Sequence, residues 1–286
     1  MLPILVIDLF CGIGGFSTGA IQAGANVILA VDMWNDAIVI HTKNHPNTTH
    51  WVEELGGDCN IFMEKMQQFL IKNYGARDAY HLHIHGSPPC QNLSSLNVNR
   101  DEEEGLRLVI WTLNLIKKMN PNSWTLEQVY NSKLKNLMNL HNGKLVQCKD
   151  YGVPQMRKRV IMGTINWNDV EKIEFIRPLD LFKNNNTRPD VDWCKYQFMA
   201  SYGGGRDSIF HPLTEVSYTV TCSVVGRLYI KDEKRGVCIN TEEALLLQTF
   251  PINYDLGNST RSMKNKFIGN ALPPALAQQM IKSIII

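Results

Sequence analysis

The sequence has no two cysteines in a C-x-x-C spacing, no low-complexity tract, no internal repeat and no apolar run long enough to span a bilayer. The first absence argues against a zinc ribbon or a disulfide framework. Seven cysteines are also an odd number, so they are expected as reduced thiols in a cytosol-like compartment. The opening MLPILVIDLF is apolar but short, with no cationic residue ahead of it, and the closing IKSIII is shorter still. Both read as core segments of a soluble protein, not as a signal peptide or a membrane helix. A dominant charge is missing too. The formal net charge of +2 neither demands nor excludes a nucleic-acid partner, so any basic surface must be local.

What is present is enough apolar sequence, 44% of 286 residues, to bury a full α/β core and one small extra lobe. Residues 4–10 form an apolar run that ends in glycines. A helix-like stretch follows at 17–23, and a second apolar run at 27–31 ends in Asp32. Strand, glycine turn, helix, strand, acid is the opening of a doubly wound, mostly parallel sheet. Further strands are expected at 81–85, 124–126 and 160–164, with a helix over 105–119 whose apolar residues recur at helical spacing. From 166 to 237 the texture is loop-rich, and five Lys plus five Arg balance ten acids. The expectation is a Rossmann-like domain over 1–165 and 238–286, interrupted by a small irregular lobe over 166–237.

The chemistry-bearing residues fall at strand ends. Gly12, Gly14 and Gly15 allow a ligand to approach the backbone after the first strand, and Asp32 suits a ribose diol. Nicotinamide enzymes use a similar turn, but Phe16-Ser17-Thr18 fits their glycine spacing poorly. Ser87-Pro88-Pro89-Cys90-Gln91 ends the fourth expected strand and presents a thiol on a proline-stiffened loop. Glu127 sits at the tip of the next strand, and Arg157 and Arg159 precede another. Each alone is ordinary. A thiol, a carboxyl and two guanidinia on the ends of one sheet make a constellation.

Together these segments resemble the DNA cytosine-C5 methyltransferases nearly end to end and in the family's order. DLFCGIGG is similar to its cofactor turn, SPPCQNLS to its Pro-Cys-Gln loop and LEQV to its Glu-Asn-Val motif. QMRKR resembles its Gln-x-Arg-x-Arg motif and IGNALPP its late Gly-Asn segment. The resemblance implies S-adenosylmethionine as cofactor, no metal, and double-stranded DNA as partner. It implies a monomer, cytoplasmic in a prokaryote or in a host compartment otherwise, with 166–237 as target recognition region. Cys90 would attack carbon 6 of a flipped cytosine, with Glu127 at ring N3 and Arg159 on O2. Arg157 would support the loop or a phosphate. Pro88, Pro89, Gln91, Ser94, Gln155 and Thr219 would contact the substrate. Phe10, Cys11, Gly12, Ile13, Gly14, Asp32, Met33, Asp58, Asn270 and Leu272 would hold the cofactor.

There are departures. Gln128 stands where the family has asparagine, a position that scaffolds the nucleophile loop, and the stretch between Glu127 and Tyr151 is short. The arginine usual near residue 100 could be Arg100 or Arg107. Asp101 and Glu102 to Glu104 read as a capped helix start. His81, His83 and His85 share one strand face, but no fourth ligand for zinc is evident. The tRNA-directed branch carries a Cys-Phe-Thr segment, absent here. Amino-methyltransferases put an aromatic after Ser-Pro-Pro, where this chain has Cys90.

Overall fold

The computed structural model describes residues 2–90, 92–94, 101–200, 209–222, 227–230 and 236–285. Gln91, Arg100 and the glycine loop at 203–205 therefore lie outside the described residues.

The strands are β1 (Ile4–Leu9), β2 (Asn26–Asp32), β3 (Thr49–Val52), β4 (His81–Gly86), β5 (Ser123–Gln128), β6 (Lys144–Gln147) and β7 (Lys158–Gly163). The helices among them are α1 (Gly15–Gln22), α2 (Asn35–Asn44), α3 (Cys59–Tyr74), α4 (Glu102–Met119) and α5 (Lys135–Leu140). Then come α6 (Pro178–Asn184), β8 (Tyr196–Ala200), β9 (Ile209–Pro212), β10 (Arg227–Ile230), β11 (Gly236–Cys238), α7 (Thr241–Leu247), α8 (Arg261–Asn270) and α9 (Pro274–Ile285). None of the described helices is long and apolar enough to cross a membrane.

The first seven strands form one sheet in the order β3-β2-β1-β4-β5-β7-β6. β1, β2, β3, β4 and β5 pair in parallel, and β7 runs antiparallel to β5. The expected mostly parallel, doubly wound sheet is what forms. All six residues of β1 are buried, as a central strand covered on both faces requires. Ile7, Leu29, Leu82 and Ile84 anchor the core beneath α3 and α4, where Met66, Leu115 and Trp111 join them. A second cluster, Leu93, Val109, Leu126, Val160 and Met162, sits under the other end of α4.

The chain divides into two compact units, the first 1–146, 158–171 and 277–286, the second 147–157 and 172–276. The sequence reading placed 147–157 and 238–276 in the catalytic domain, but both segments pack with the second unit. The physical reason lies in buried polar side chains that bind across it. Gln155, fully buried, donates to the Leu247 carbonyl (2.8 Å) and the Gln248 side chain (2.7 Å) and accepts from the Val220 amide (3.0 Å). The second unit has its own sheet, β11-β10-β8-β9, antiparallel throughout.

Candidate active site

Because the sheet order reverses at β1, its carboxyl edge and that of β4 flank a switch point, where open α/β sheets bind ligands. Cys11 and Ile13 are buried in the turn after β1, while Phe10 is only half-buried. Phe10 has a φ of +57, Gly12 of +52 and Gly14 of +93. Space above Gly12 is open, whereas a Cβ on Gly14 would lie 2.8 Å from His41 and from His45. Glycine is required at 14 by both conformation and crowding.

Asp32 ends β2 with its carboxylate fixed. One oxygen accepts from the Gly12 amide (2.9 Å) and the other from the Trp34 amide (2.8 Å). Its pKa is raised, chiefly by burial, against the lowering pull of those amides. Met33 beside it is 62% exposed, so its side chain is available to a ligand. Asp58 caps α3, one of its oxygens accepting from the Asn60 and Ile61 amides. The loop ahead of it is tied to α4, because Arg107 donates to the Gly56 carbonyl and Trp111 to the Gly57 carbonyl, each at 2.8 Å. Arg107 also grips Glu104, and that ion pair lowers the Glu104 pKa.

The turn stands over a buried polar network. Ser17 donates to Asp8 at 2.7 Å, His41 meets Ser17 at 3.1 Å and His50 at 2.8 Å, and His45 meets Thr18 at 3.2 Å. Burial pushes Asp8 up to about 7 and His45 down to about 4.

At the second centre, Pro88 is buried, Pro89 exposed and Cys90 half-buried. The Leu93 and Ser94 amides both donate to the Cys90 carbonyl, at 3.1 and 2.9 Å, so the thiol opens a tight turn. The loop is pinned to β5 twice. Ser87 donates to one oxygen of Glu127 at 3.3 Å, and the Gln128 amide donates to the Pro88 carbonyl at 3.2 Å. The other Glu127 oxygen meets Arg159 Nε at 2.6 Å, both side chains nearly buried. The structure thus brings Glu127 and Arg159 into contact and anchors the Cys90 loop to the strand that carries Glu127. Sequence reasoning missed Ser87. Its signal was present, since a hydroxyl three residues before the thiol lies level with the acid of a parallel neighbour.

The remaining expected residues belong to the second unit. Arg157 is 2% exposed and donates to the carbonyls of Val220 (3.1 Å), Gly269 (3.1 Å) and Ala271 (3.0 Å), all within the second unit. That geometry differs from a phosphate contact. Gln155, with no exposed surface and both ends of its amide bonded inside the unit, likewise differs from a substrate contact. Thr219 is half-buried and donates to the Met156 carbonyl at 3.0 Å. Asn270 is exposed at the end of α8 and Leu272 is buried. Gly269 before them cannot carry a side chain, because a Cβ would fall 2.3 Å from the backbone of Thr221 and Cys222.

No group of three or more metal-ligating side chains assembles among the described residues. The nitrogens of His83 and His85 face hydroxyls instead.

Comparison with known proteins agrees with this arrangement. The family described as C-5 cytosine-specific DNA methylase matches residues 4–193 and 185–286. Type II methyltransferase M.AplI of Arthrospira platensis is 28% identical over 98% of this chain and 85% of its own length. Type II methylase M.HgiDII of Herpetosiphon aurantiacus is 23% identical over 98% and 94%. Among solved structures, the methyltransferase EhMeth of Entamoeba histolytica superposes with a TM-score of 0.68 at 14% identity, covering 100% of this chain and 98% of its own. S. pombe Dnmt2 methyltransferase does so at 0.67 and 17%, covering 97% and 96%. These two likenesses establish the fold alone. With the family match spanning almost every residue, the chain belongs to the C-5 cytosine-specific DNA methylases, a family of enzymes.

Proposed function

We propose that this enzyme transfers a methyl group from S-adenosylmethionine to carbon 5 of a cytosine flipped out of double-stranded DNA, with Cys90 as the attacking group. The observation that carries the reading is the Ser87–Glu127–Arg159 contact, with the Cys90 loop pinned beside it through Pro88.

Carbon 5 of cytosine is a poor nucleophile while the ring is aromatic. A thiolate that adds at carbon 6 forms a C–S bond and moves an electron pair toward ring N3, leaving carbon 5 electron-rich. In this reading Glu127 supplies a proton to N3, and Arg159, whose Nε meets one of its oxygens at 2.6 Å, is the cation beside it. Arg159 holds Glu127 in place and reaches the base O2. The base must leave the duplex first, since it cannot react inside the stack.

The residues at the β1 edge fit a methyl-donor nucleoside. Gly12 offers an open backbone cradle, Asp32 is locked to receive a ribose diol, and Met33 lies exposed for an adenine face. Phe10, Cys11, Ile13 and Gly14 form the turn around the methionine portion, with Asp58 toward the adenine amino group. The family resemblance assigns Asn270 and Leu272 to the cofactor as well. S-adenosylmethionine, when bound, supplies an electrophilic methyl group. Pro88, Pro89, Gln91 and Ser94 contact the substrate strand, and the unit containing Thr219 reads the target. Arg157 and Gln155 act as struts of that unit. The type II relatives suggest that this monomer modifies DNA within a restriction-modification system.

Cys90→Ala is expected to abolish methyl transfer while S-adenosylmethionine binding, followed by calorimetry, persists. DNA carrying 5-fluorocytosine should trap a covalent complex that survives denaturing electrophoresis. Activity in Cys90→Ala, or methyl incorporation into tRNA instead of duplex DNA, would overturn the reading.

A further inference from the structure

The histidines of β4 do not act as a metal set, yet they are not isolated. In the parallel pairing of β4 with β5, His83 lies opposite Ser123 and His85 opposite Thr125. Period-two alternation on both strands therefore interleaves imidazoles and hydroxyls on one face. The contacts run without a gap. His81 Nε2 meets Ser123 Oγ at 2.7 Å, which meets His83 Nδ1 at 2.8 Å. His83 Nε2 meets Thr125 Oγ1 at 3.1 Å, which meets His85 Nδ1 at 2.8 Å. His85 Nε2 meets Ser87 Oγ at 2.9 Å, and Ser87 meets Glu127 Oε2 at 3.3 Å. His83, His85 and Thr125 have no exposed surface, whereas His81 is only half-buried.

We propose that this file of alternating imidazoles and hydroxyls is a proton path joining the Glu127 carboxyl to solvent at His81. It rests on the assignment of Glu127 as the acid at ring N3 and adds how that acid is charged.

The order of donors follows from the ionised end. A carboxylate only accepts, so Ser87 donates to Glu127. Its single proton is thereby used, and it must accept from His85 Nε2–H. A neutral imidazole has one donor, so His85 Nδ1 accepts from Thr125. The same step repeats through His83 and Ser123 back to His81. Every member is satisfied in one direction. Transfer then needs no charged intermediate inside the sheet. A solvent proton binds His81 Nδ1 and His81 passes its Nε2 proton to Ser123. Each later group takes a proton on one side and releases one on the other, and Ser87 delivers the last to Glu127 Oε2. One proton enters, one arrives, and every ring has changed tautomer.

Burial agrees with a neutral path, for it pushes His83 down to about 3 and His85 well below its ordinary range. Phe16 stacks on the His85 ring at 3.6 Å and on His83 at 5.8 Å, an apolar cover that disfavours imidazolium there. Arg77 faces His81 and Arg159 faces Glu127, one cation at each end. Glu127 is only 6% exposed, so little of its carboxyl meets bulk water directly. The path supplies it from the opposite edge of the sheet.

Thr125→Val cuts the file in its middle with little change of shape, Thr125→Ser restores the hydroxyl, and His81→Phe closes the solvent end. Single-turnover transfer of labelled methyl from S-adenosylmethionine to unmethylated, amplified bacterial DNA is the assay. Thr125→Val and His81→Phe should slow transfer by about tenfold or more, with cofactor affinity unchanged and Thr125→Ser within about twofold of wild type. The wild-type rate should depend on deuterium fraction along a curve, which Thr125→Val straightens; altered packing alone would not do this. A normal rate in either blocked variant overturns the path. Nitrogen NMR of the unmodified protein tests it without mutation: His83 and His85 should both carry the proton on Nε2, and an Nδ1–H at either breaks the one-way chain. Failure of the underlying reading looks different. A fully active Glu127→Gln would remove the acid itself, and the path with it.

Discussion

At Gln128 a single methylene separates this chain from the asparagine usual in its family. The sequence marked the position as a scaffold for the nucleophile loop, and the structure gives that role a bond. The Gln128 amide nitrogen donates to the Pro88 carbonyl at 3.2 Å, and its oxygen accepts from the Val129 amide at 2.8 Å. The side chain is fully buried, so a shorter replacement leaves a buried carbonyl unsatisfied. Gln128→Ala is expected to lower kcat by about three- to tenfold, the equivalent of a lost buried hydrogen bond, with the KM for S-adenosylmethionine unchanged. An equal rise in that KM would place Gln128 in cofactor binding instead. Residues of this kind were legible because the motif fixed what they touch. Arg157 and Gln155 were not, since their partners lie about 60 to 110 residues away in the chain, on carbonyls that no side-chain pattern announces.

Elements with strong local signals were readable, and weak edge strands were not. β1, β2 and β7 carry apolar runs bounded by glycine or acid, β4 alternates histidine with aliphatic residues, and the sequence located each within a few residues. β3 and β6 have four residues each with little buried surface, so no periodicity marks them. The alternating histidines of β4 were visible as a shared face. Their partners were not, because Ser123 and Thr125 acquire meaning only through the register of β5. The acidic run before α4 was read as a helix start, and Asp101 does accept from the Glu103 and Glu104 amides, both at 3.1 Å. Asp101→Ala should destabilise the protein by about 1 kcal/mol, read as a lower urea midpoint. Asp101→Ser, which keeps a cap, should recover most of the loss.

For the whole molecule, the two-unit division departs from the sequence boundaries because buried polar struts, not composition, decide which segments pack together. Composition also hides how many ionisable groups the first unit buries. His41, His45, His83 and His85 are all held neutral by burial, His45 at about 4 and His83 at about 3. The unfolded chain takes up a proton at each below about pH 6.5, and the fold refuses it, so these four lower stability as pH falls from 6.5 toward 4. Asp8 acts in the opposite sense. Raised to about 7, it is protonated in the fold and ionised in the unfolded chain between pH 4 and 7, so its contribution is largest in acid and lost as pH rises through 7. Asp32, also raised by burial, adds to that opposing slope. Four histidines against two carboxyls leave unfolding coupled to net proton uptake below pH 6.5. Urea midpoints should therefore fall steeply between pH 6.5 and 5, and His41→Phe should reduce the slope by about one proton. A flat profile would mean that the buried histidines titrate within the fold, and neutral imidazoles could not then line the path to Glu127.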